Sequence, residues 1–282
     1  MAFHDTVERG IDYDLCSYGT SRLPFRGPCR DPGGGYAVAL GGSETFGRYV
    51  KHPFPDLIEV DIGICLNLGC VIAGPTAFLS DPTVMDLVTG AQVVVLQITG
   101  AHNLSNPFFR VHRRRNDRFL HATDALRDLY PELDFTEVHF VRHLLGTLES
   151  ADATRFAVVR DALRSAWTDS FAELRAAATG RVIPLWIARR TPDAPADRLS
   201  DGDPSYVTRA MADRVFGAGH MVEIVRPPVE DDDQEGKVFS RAERAAALQM
   251  PGPVAHRLAA RALMERIAKA DTKKGPPTTT GP

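Results

Sequence analysis

Five apolar runs recur along the chain, at 36–40, 64–69, 91–99, 181–188 and 220–225. Each is short, continuous and rich in β-branched or aromatic residues, the pattern of strands buried on both faces. Between them the apolar positions fall at helical spacing: 43–50, 54–63, a short helix within 75–89 opened by Asp81-Pro82, 119–150, 154–179, 205–214 and 253–270. Leu148, Phe156, Val159, Leu163, Trp167, Phe171 and Leu174 form one stripe across two of these helices and read as core. Strands alternating with helices predict one α/β domain over residues 35–270, a three-layer sandwich around a five-stranded, mostly parallel sheet of flavodoxin-like type. Residues 1–34, polar, aromatic and rich in Gly and Pro, read as an N-terminal arm packed on that domain, and 271–282 as a disordered tail. Residues 192–204 and the acidic stretch 230–236 read as loops, the second a solvated one.

Composition narrows the function. Of 282 residues, 44% are hydrophobic, enough for a sizeable core, and the net charge of −3 argues against nucleic acid as the main partner. No apolar run reaches the about 18 residues of a membrane span. The first ten residues carry early acids and no apolar centre, unlike a secretory signal. Cys16, Cys29, Cys65 and Cys70 lack paired spacing, so free thiols in a reducing cytoplasm are expected, with no disulfide framework and no metal site. His139 and His143 fall at i, i+4 without an HExxH pattern, and packing or surface roles are preferred for them. No cofactor is expected.

Chemistry concentrates after the strands. Right-handed crossovers put all strand C-terminal ends on one edge, where sites of such folds lie. Three loops follow predicted strands there: Gly41-Gly42-Ser43-Glu44-Thr45-Phe46-Gly47, Asn67-Leu68-Gly69 and Gly100-Ala101-His102-Asn103. A serine in a glycine-rich turn at a helix start sits where backbone N–H groups stabilise negative charge, the setting of a serine nucleophile when a base is near. Ser43 as a plain helix N-cap is the competing reading.

These loops resemble the conserved blocks of the SGNH (GDSL-type) hydrolases. "GGSETFG" looks like G-D-S-x-T-x-G with Gly42 in place of Asp; "NLGCVIAGP" looks like N-L-G-x-x-G-x-G-P with Ile72 in place of a glycine; "GAHN" looks like G-x-N-D, one residue out of register. The resemblance implies an SGNH-like α/β domain in which Ser43 attacks an ester. Gly42, Gly69, Ile72 and either His102 or Asn103 would lie around the oxyanion. Near the C-terminus, "QMPGPVAHRLAARAL" fits the base-bearing block in two registers: His256 is the base with Pro253 replacing the acid, or Met250 occupies the base position and the site is degenerate. The whole chain also resembles a bacterial family of unknown function, through "YGTSRLPFRGP", "GGSETFG", "NLGCVIAGP", "GAHNLSN" and "RRNDRFL".

The stretch 109–119 adds Arg110, Arg113, Arg114, Arg115 and Arg118, candidates for holding an anionic group by bidentate contacts, or a solvated basic surface. The expected activity is therefore hydrolysis of a small or glycan-linked ester, or transfer of its acyl group to a sugar hydroxyl, by a cytoplasmic protein. The alternatives are a non-catalytic anion binder on the same fold, or a nucleotide- or phosphosulfate-dependent transferase. The last rests on the Gly42-x4-Gly47 spacing, which lacks Lys-Ser/Thr at Arg48-Tyr49, and on a sulfotransferase-like "SYGTSR" at 17–22.

Overall fold

A computed structural model describes residues 10–229 and 234–271. Five strands, β1 (Ala37–Gly41), β2 (Cys65–Gly69), β3 (Val93–Gln97), β6 (Arg181–Ala188) and β7 (Val222–Val225), form one all-parallel sheet in the order β2-β1-β3-β6-β7. A separate antiparallel hairpin pairs β4 (Phe109–Val111) with β5 (Phe119–Ala122). The helices are α1 (Ser43–Phe46), α2 (Phe54–Ile62), α3 (Pro75–Leu79), α4 (Pro82–Gly90), α5 (Asp124–Leu129), α6 (Val141–Ala151), α7 (Ala153–Ala177), α8 (Arg209–Phe216), α9 (Arg244–Gln249) and α10 (Pro253–Asp271).

Alternation along the strands sorts two cores. Val38, Leu40, Val94, Leu96 and Trp186 face the larger one, which takes in Val84, Leu144, Trp167, Phe171 and Phe216 from helices α4, α6, α7 and α8. Ala37, Ala39, Val95, Leu185 and Ile187 face the smaller one, under α2 and α10. Small strand residues suit that side: α10 presents Ala255, Ala259, Leu263 and Ile267 at i, i+4 spacing, and Ala259 and Leu263 are fully buried. The result is a three-layer sandwich.

Counted within the sheet the strand order is 2-1-3-4-5, the flavodoxin-like arrangement. The chain turns outward from β1 to β2 and then crosses to β3 on the other side. The crevice outside the C-terminal ends of β1 and β3 is therefore the topological switch point, where ligands of open α/β sheets bind.

Three expectations shift. The run 119–150 is not one helix: residues 119–122 pair as β5, α5 and α6 are separate, and His139 precedes α6, its carbonyl accepting from Phe119 N–H (3.1 Å), so His139 and His143 share no helical face. The helix placed at 205–214 begins only at Arg209, where Thr208 caps it by accepting from Met211 N–H (3.4 Å). The helix expected over 43–50 stops after one turn. Gly47, at φ 74°, takes the left-handed conformation that ends α1, and α2 starts afresh behind Pro53.

Residues 10–34 lie against the domain. Arg26, buried, donates to the carbonyls of Gly47 (2.8 Å) and Lys51 (2.7 Å), and Tyr13 Oη accepts from Tyr49 N–H (2.9 Å). The acids 230–233 of the expected loop and residues 272–282 of the expected tail fall outside the described residues. No helix among the described residues is long and apolar enough to cross a membrane.

Candidate functional site

A cavity of about 740 Å³ opens at the C-terminal edge of the sheet, on the switch point. Its wall includes Gly42, Ser43 and Glu44 after β1, Ile72, Ala73 and Gly74 after β2, and Thr99, Gly100, His102 and Asn103 after β3. Loops after β6 and β7 complete it with Arg189, Arg190, Asp201, Asp203 and Arg226, and Arg142 enters from α6.

The serine turn is built around Gln97, the last residue of β3. Its amide oxygen accepts from Gly42 N–H (2.9 Å), Thr45 N–H (3.2 Å) and Thr45 Oγ1 (2.7 Å). That fixes the amide orientation, so Nε2 donates to Glu44 Oε2 (2.7 Å). Two consequences follow. The Gly42 N–H, expected near the oxyanion, is already engaged, as is that of Thr45, which weakens the phosphate-cradle reading of the same turn. And Glu44 is held into the cavity wall, where burial raises its carboxyl pKa against the opposing Gln97 bond.

Gly42, not Ser43, is the N-cap of α1, and no side chain caps that helix. The Ser43 hydroxyl makes no hydrogen bond with any described residue and lines the cavity. Its role is therefore not that of a cap.

Gly69 does not reach the cavity. Its N–H donates to Asn67 Oδ1 (3.0 Å), and any side chain there would run into the Phe46 backbone, so it lets α1 lie against β2. Ile72 does line the cavity and sits at φ 66°, the left-handed conformation that a glycine would adopt freely. A β-branched residue held there stores strain of about 1–2 kcal/mol. Gly74 N–H is bound by Asn116 Oδ1 (2.7 Å), which ties the β2 loop to the β4–β5 hairpin.

The loop after β3 is pinned from behind by Trp167, whose indole N–H donates to Thr99 O (2.8 Å), and from the front by Ala101 N–H donating to Ser205 O (2.9 Å). On it, Thr99 Oγ1, His102 Nδ1 and Asn103 Oδ1 are sealed from solvent without a hydrogen-bond partner among the described residues. His102 Nδ1 lies 3.9 Å from Asp203 Oδ1. Burial holds the His102 pKa below the usual imidazole value; Asp203 opposes that shift and Arg142 adds to it. Desolvation opposes ionisation of Asp203, whose side chain is still 58% exposed, but His102, Arg142 and Ser205 together hold its carboxyl below the usual range.

His256 lies elsewhere. It is fully buried in the layer of α2 and α10, stacked on Phe54 at 6.1 Å, with Nδ1 accepting from Phe54 N–H (3.1 Å). Burial, with Arg26, Arg226 and Lys237 nearby, lowers its pKa to about 3, so the ring is neutral and Nε2 carries the proton, without a partner. It is not part of the wall that holds Ser43.

Arg110, Arg113, Arg114, Arg115 and Arg118 also lie off that wall. They belong to the β4–β5 hairpin, where Arg113, Arg114 and Arg115 point to solvent and Arg118 stacks on Phe140 at 4.4 Å. The cavity's arginines come from other loops. Arg190 is buried and clamps the 191–207 segment through the carbonyls of Pro204 (2.5 Å) and Val207 (2.7 Å). Arg226 donates to Gln249 O (3.0 Å) and Met250 O (2.7 Å) at the end of α9. The Met250 of the degenerate register is thus on the wall, beside Arg226.

Sequence reasoning missed Glu44, Gln97, Arg142 and Asp203. Asp203 follows the fourth strand of the sheet, on the same edge as the three loops that were singled out, but in a long loop that no motif marks. No group of His, Cys, Asp and Glu side chains suited to a metal occurs among the described residues.

No curated protein sequence matches the chain. The family whose signature covers residues 1–271 is described as a domain of unknown function, DUF6473, and the chain belongs to it.

Proposed function

We propose that this protein is a serine-dependent ester or acyl-group hydrolase, with Ser43 as nucleophile, acting on a small or glycan-linked ester. The observation that supports it is the Ser43 hydroxyl itself: free of any hydrogen bond to the described residues, it lines a cavity on the switch point of the sheet. The SGNH resemblance of the three loops points the same way. A cavity of about 740 Å³ suits a ligand of metabolite to disaccharide size. In the reaction Ser43 Oγ adds to the ester carbonyl, and the side-chain amide N–H of Asn103, on the same wall, is the donor for the oxyanion.

Labelling of the purified protein by a fluorophosphonate tests this. The wild type should label and Ser43→Ala should not. An unlabelled wild type, or equal labelling of the variant, removes the nucleophile. The second reading, a binder of anionic ligands, draws on Arg142, Arg189, Arg190 and Arg226 in the same wall. It is favoured if the wild type stays unlabelled and is thermally stabilised by small carboxylates or phosphates.

A further inference from the structure

Ser43 needs a base, and His256 is sealed away from its cavity. We propose that His102 is that base and that Asp203 positions it, a Ser43–His102–Asp203 relay drawn from the loops after β1, β3 and β6. The proposal rests on the hydrolase reading above.

Four geometric facts carry it. First, the turn of Ser43 and the loop of His102 touch: a methyl group placed on Gly42 would meet Thr99 Cγ2 at 3.8 Å. Second, the imidazole folds back over Gly100, where a Cβ would stand 2.6 Å from Nδ1, so only a glycine accommodates the ring in this pose. Nδ1 is sealed from solvent, which leaves Nε2 as the nitrogen for proton transfer. Third, the sealed Nδ1 has no hydrogen-bond partner among the described residues and lies 3.9 Å from Asp203 Oδ1. A sealed, unsatisfied ring nitrogen is destabilising. Closing that gap by about 1 Å would satisfy it and fix the tautomer with the proton on Nδ1, as an orienting acid does in a serine triad. Fourth, Asp203 is held: it accepts from Ser205 Oγ (2.6 Å) and Arg142 Nη2 (3.1 Å), and the Ala101–Ser205 backbone bond ties the two loops together.

The steps balance with water as the only co-reactant. Ser43 Oγ bonds to the ester carbonyl carbon as its proton passes to His102 Nε2, and the carbonyl π pair moves onto oxygen. The pair returns, the bond to the alcohol oxygen breaks, and the alcohol leaves with the proton from Nε2. Water then adds to the acyl group, giving a proton to Nε2. As the bond from acyl carbon to Ser43 Oγ breaks, that proton returns to Ser43 and the acid departs.

The charged groups facing His102 are Asp203 from the β6 loop and Arg142 from α6, with Glu44 of α1 further along the wall. The base works in its neutral form, so the labelling rate should fall with acid through an inflection below the ordinary imidazole value. The test is the pH profile of fluorophosphonate labelling on the full chain. His102→Asn should lower the rate about 10²–10⁴-fold, with melting curves confirming that it folds. Asp203→Asn should lower it less and move the inflection to lower pH, because the anion that favours imidazolium is gone. His256→Asn should leave the rate per folded molecule unchanged. If Ser43 labels and folded His102→Asn labels at the wild-type rate, the relay is overturned while the nucleophile stands. An inflection unmoved by Asp203→Asn overturns the role of Asp203, even should His102→Asn fail to fold. A wild type that does not label overturns both readings.

Discussion

His102 and His256 are both enclosed, both have a lowered pKa, and each has one ring nitrogen sealed without a partner. They differ in their company. His256 gives its Nδ1 to a backbone N–H and stands among Arg26, Arg226 and Lys237, with no acid among the groups that shift it. His102 turns its Nδ1 toward Asp203 and lines the wall that holds Ser43. A histidine near a helix start at the right point in the sequence is thus a packing group, and one in a loop after a strand lines the cavity beside a carboxylate. Burial alone makes an imidazole neutral; only a carboxylate at one nitrogen and open space at the other make it useful for moving protons.

The comparison can be broken by acid. His256 has a folded pKa of about 3, far below the usual 6.5 of an unfolded chain, so between those values only the unfolded state takes up the proton. The stability it permits is full above about pH 6.5 and is lost progressively down to about pH 3, on the order of 4–5 kcal/mol in all. Chemical denaturation at stepped pH should show this decline, and His256→Phe should flatten it. An equally steep decline in His256→Phe would show that the acid sensitivity lies elsewhere.

At neutral pH the same substitution separates the two sites from the other direction. His256→Phe strands the Phe54 N–H and should destabilise the protein by about 1–3 kcal/mol, whereas His102→Asn should change stability by less than about 1 kcal/mol. Urea midpoints measure both, and a larger loss in His102→Asn would recast it as a structural residue. Strain sharpens the contrast between edge and core. Ile72→Gly removes a β-branched residue from φ 66° and should raise stability by about 1 kcal/mol, read as a shift in melting temperature. The smallest effect is expected at the exposed hairpin tip. Replacing Arg113, Arg114 and Arg115 together by Ala should shift stability by no more than about 0.5 kcal/mol per site and leave labelling unchanged. A loss of labelling would bring the tip back into the site.

The sheet was legible because its strands are continuous apolar runs, and "AQVVVLQIT" around β3 has little else to become. The β4–β5 hairpin was not. Strands of three and four residues carry too little alternation, and Leu120, exposed on β5, mimics a helical apolar position. At the edge, the loop chemistry led to Gly42, Ser43, Ile72, His102 and Asn103, which the fold gathers on one cavity. The arginine run misled because residue type says nothing of direction: Asn116, in its midst, is the side chain that reaches inward to Gly74. Asp203 escaped because no short motif marks an acid in a long loop. Only the strand order, which places β6 beside β3, brings it opposite His102.

The bonds of Gln97 decide how portable the serine turn is. The seven residues from Gly41 to Gly47 look like a transferable cassette, but the acceptor for two of their backbone N–H groups and one hydroxyl sits 50 or more positions along the chain, on a neighbouring strand. A graft of the heptapeptide alone would leave those donors unanswered and release the Glu44 carboxylate. The unit that could be moved to another scaffold is a pair of adjacent parallel strands, one ending in the turn and the other in a glutamine.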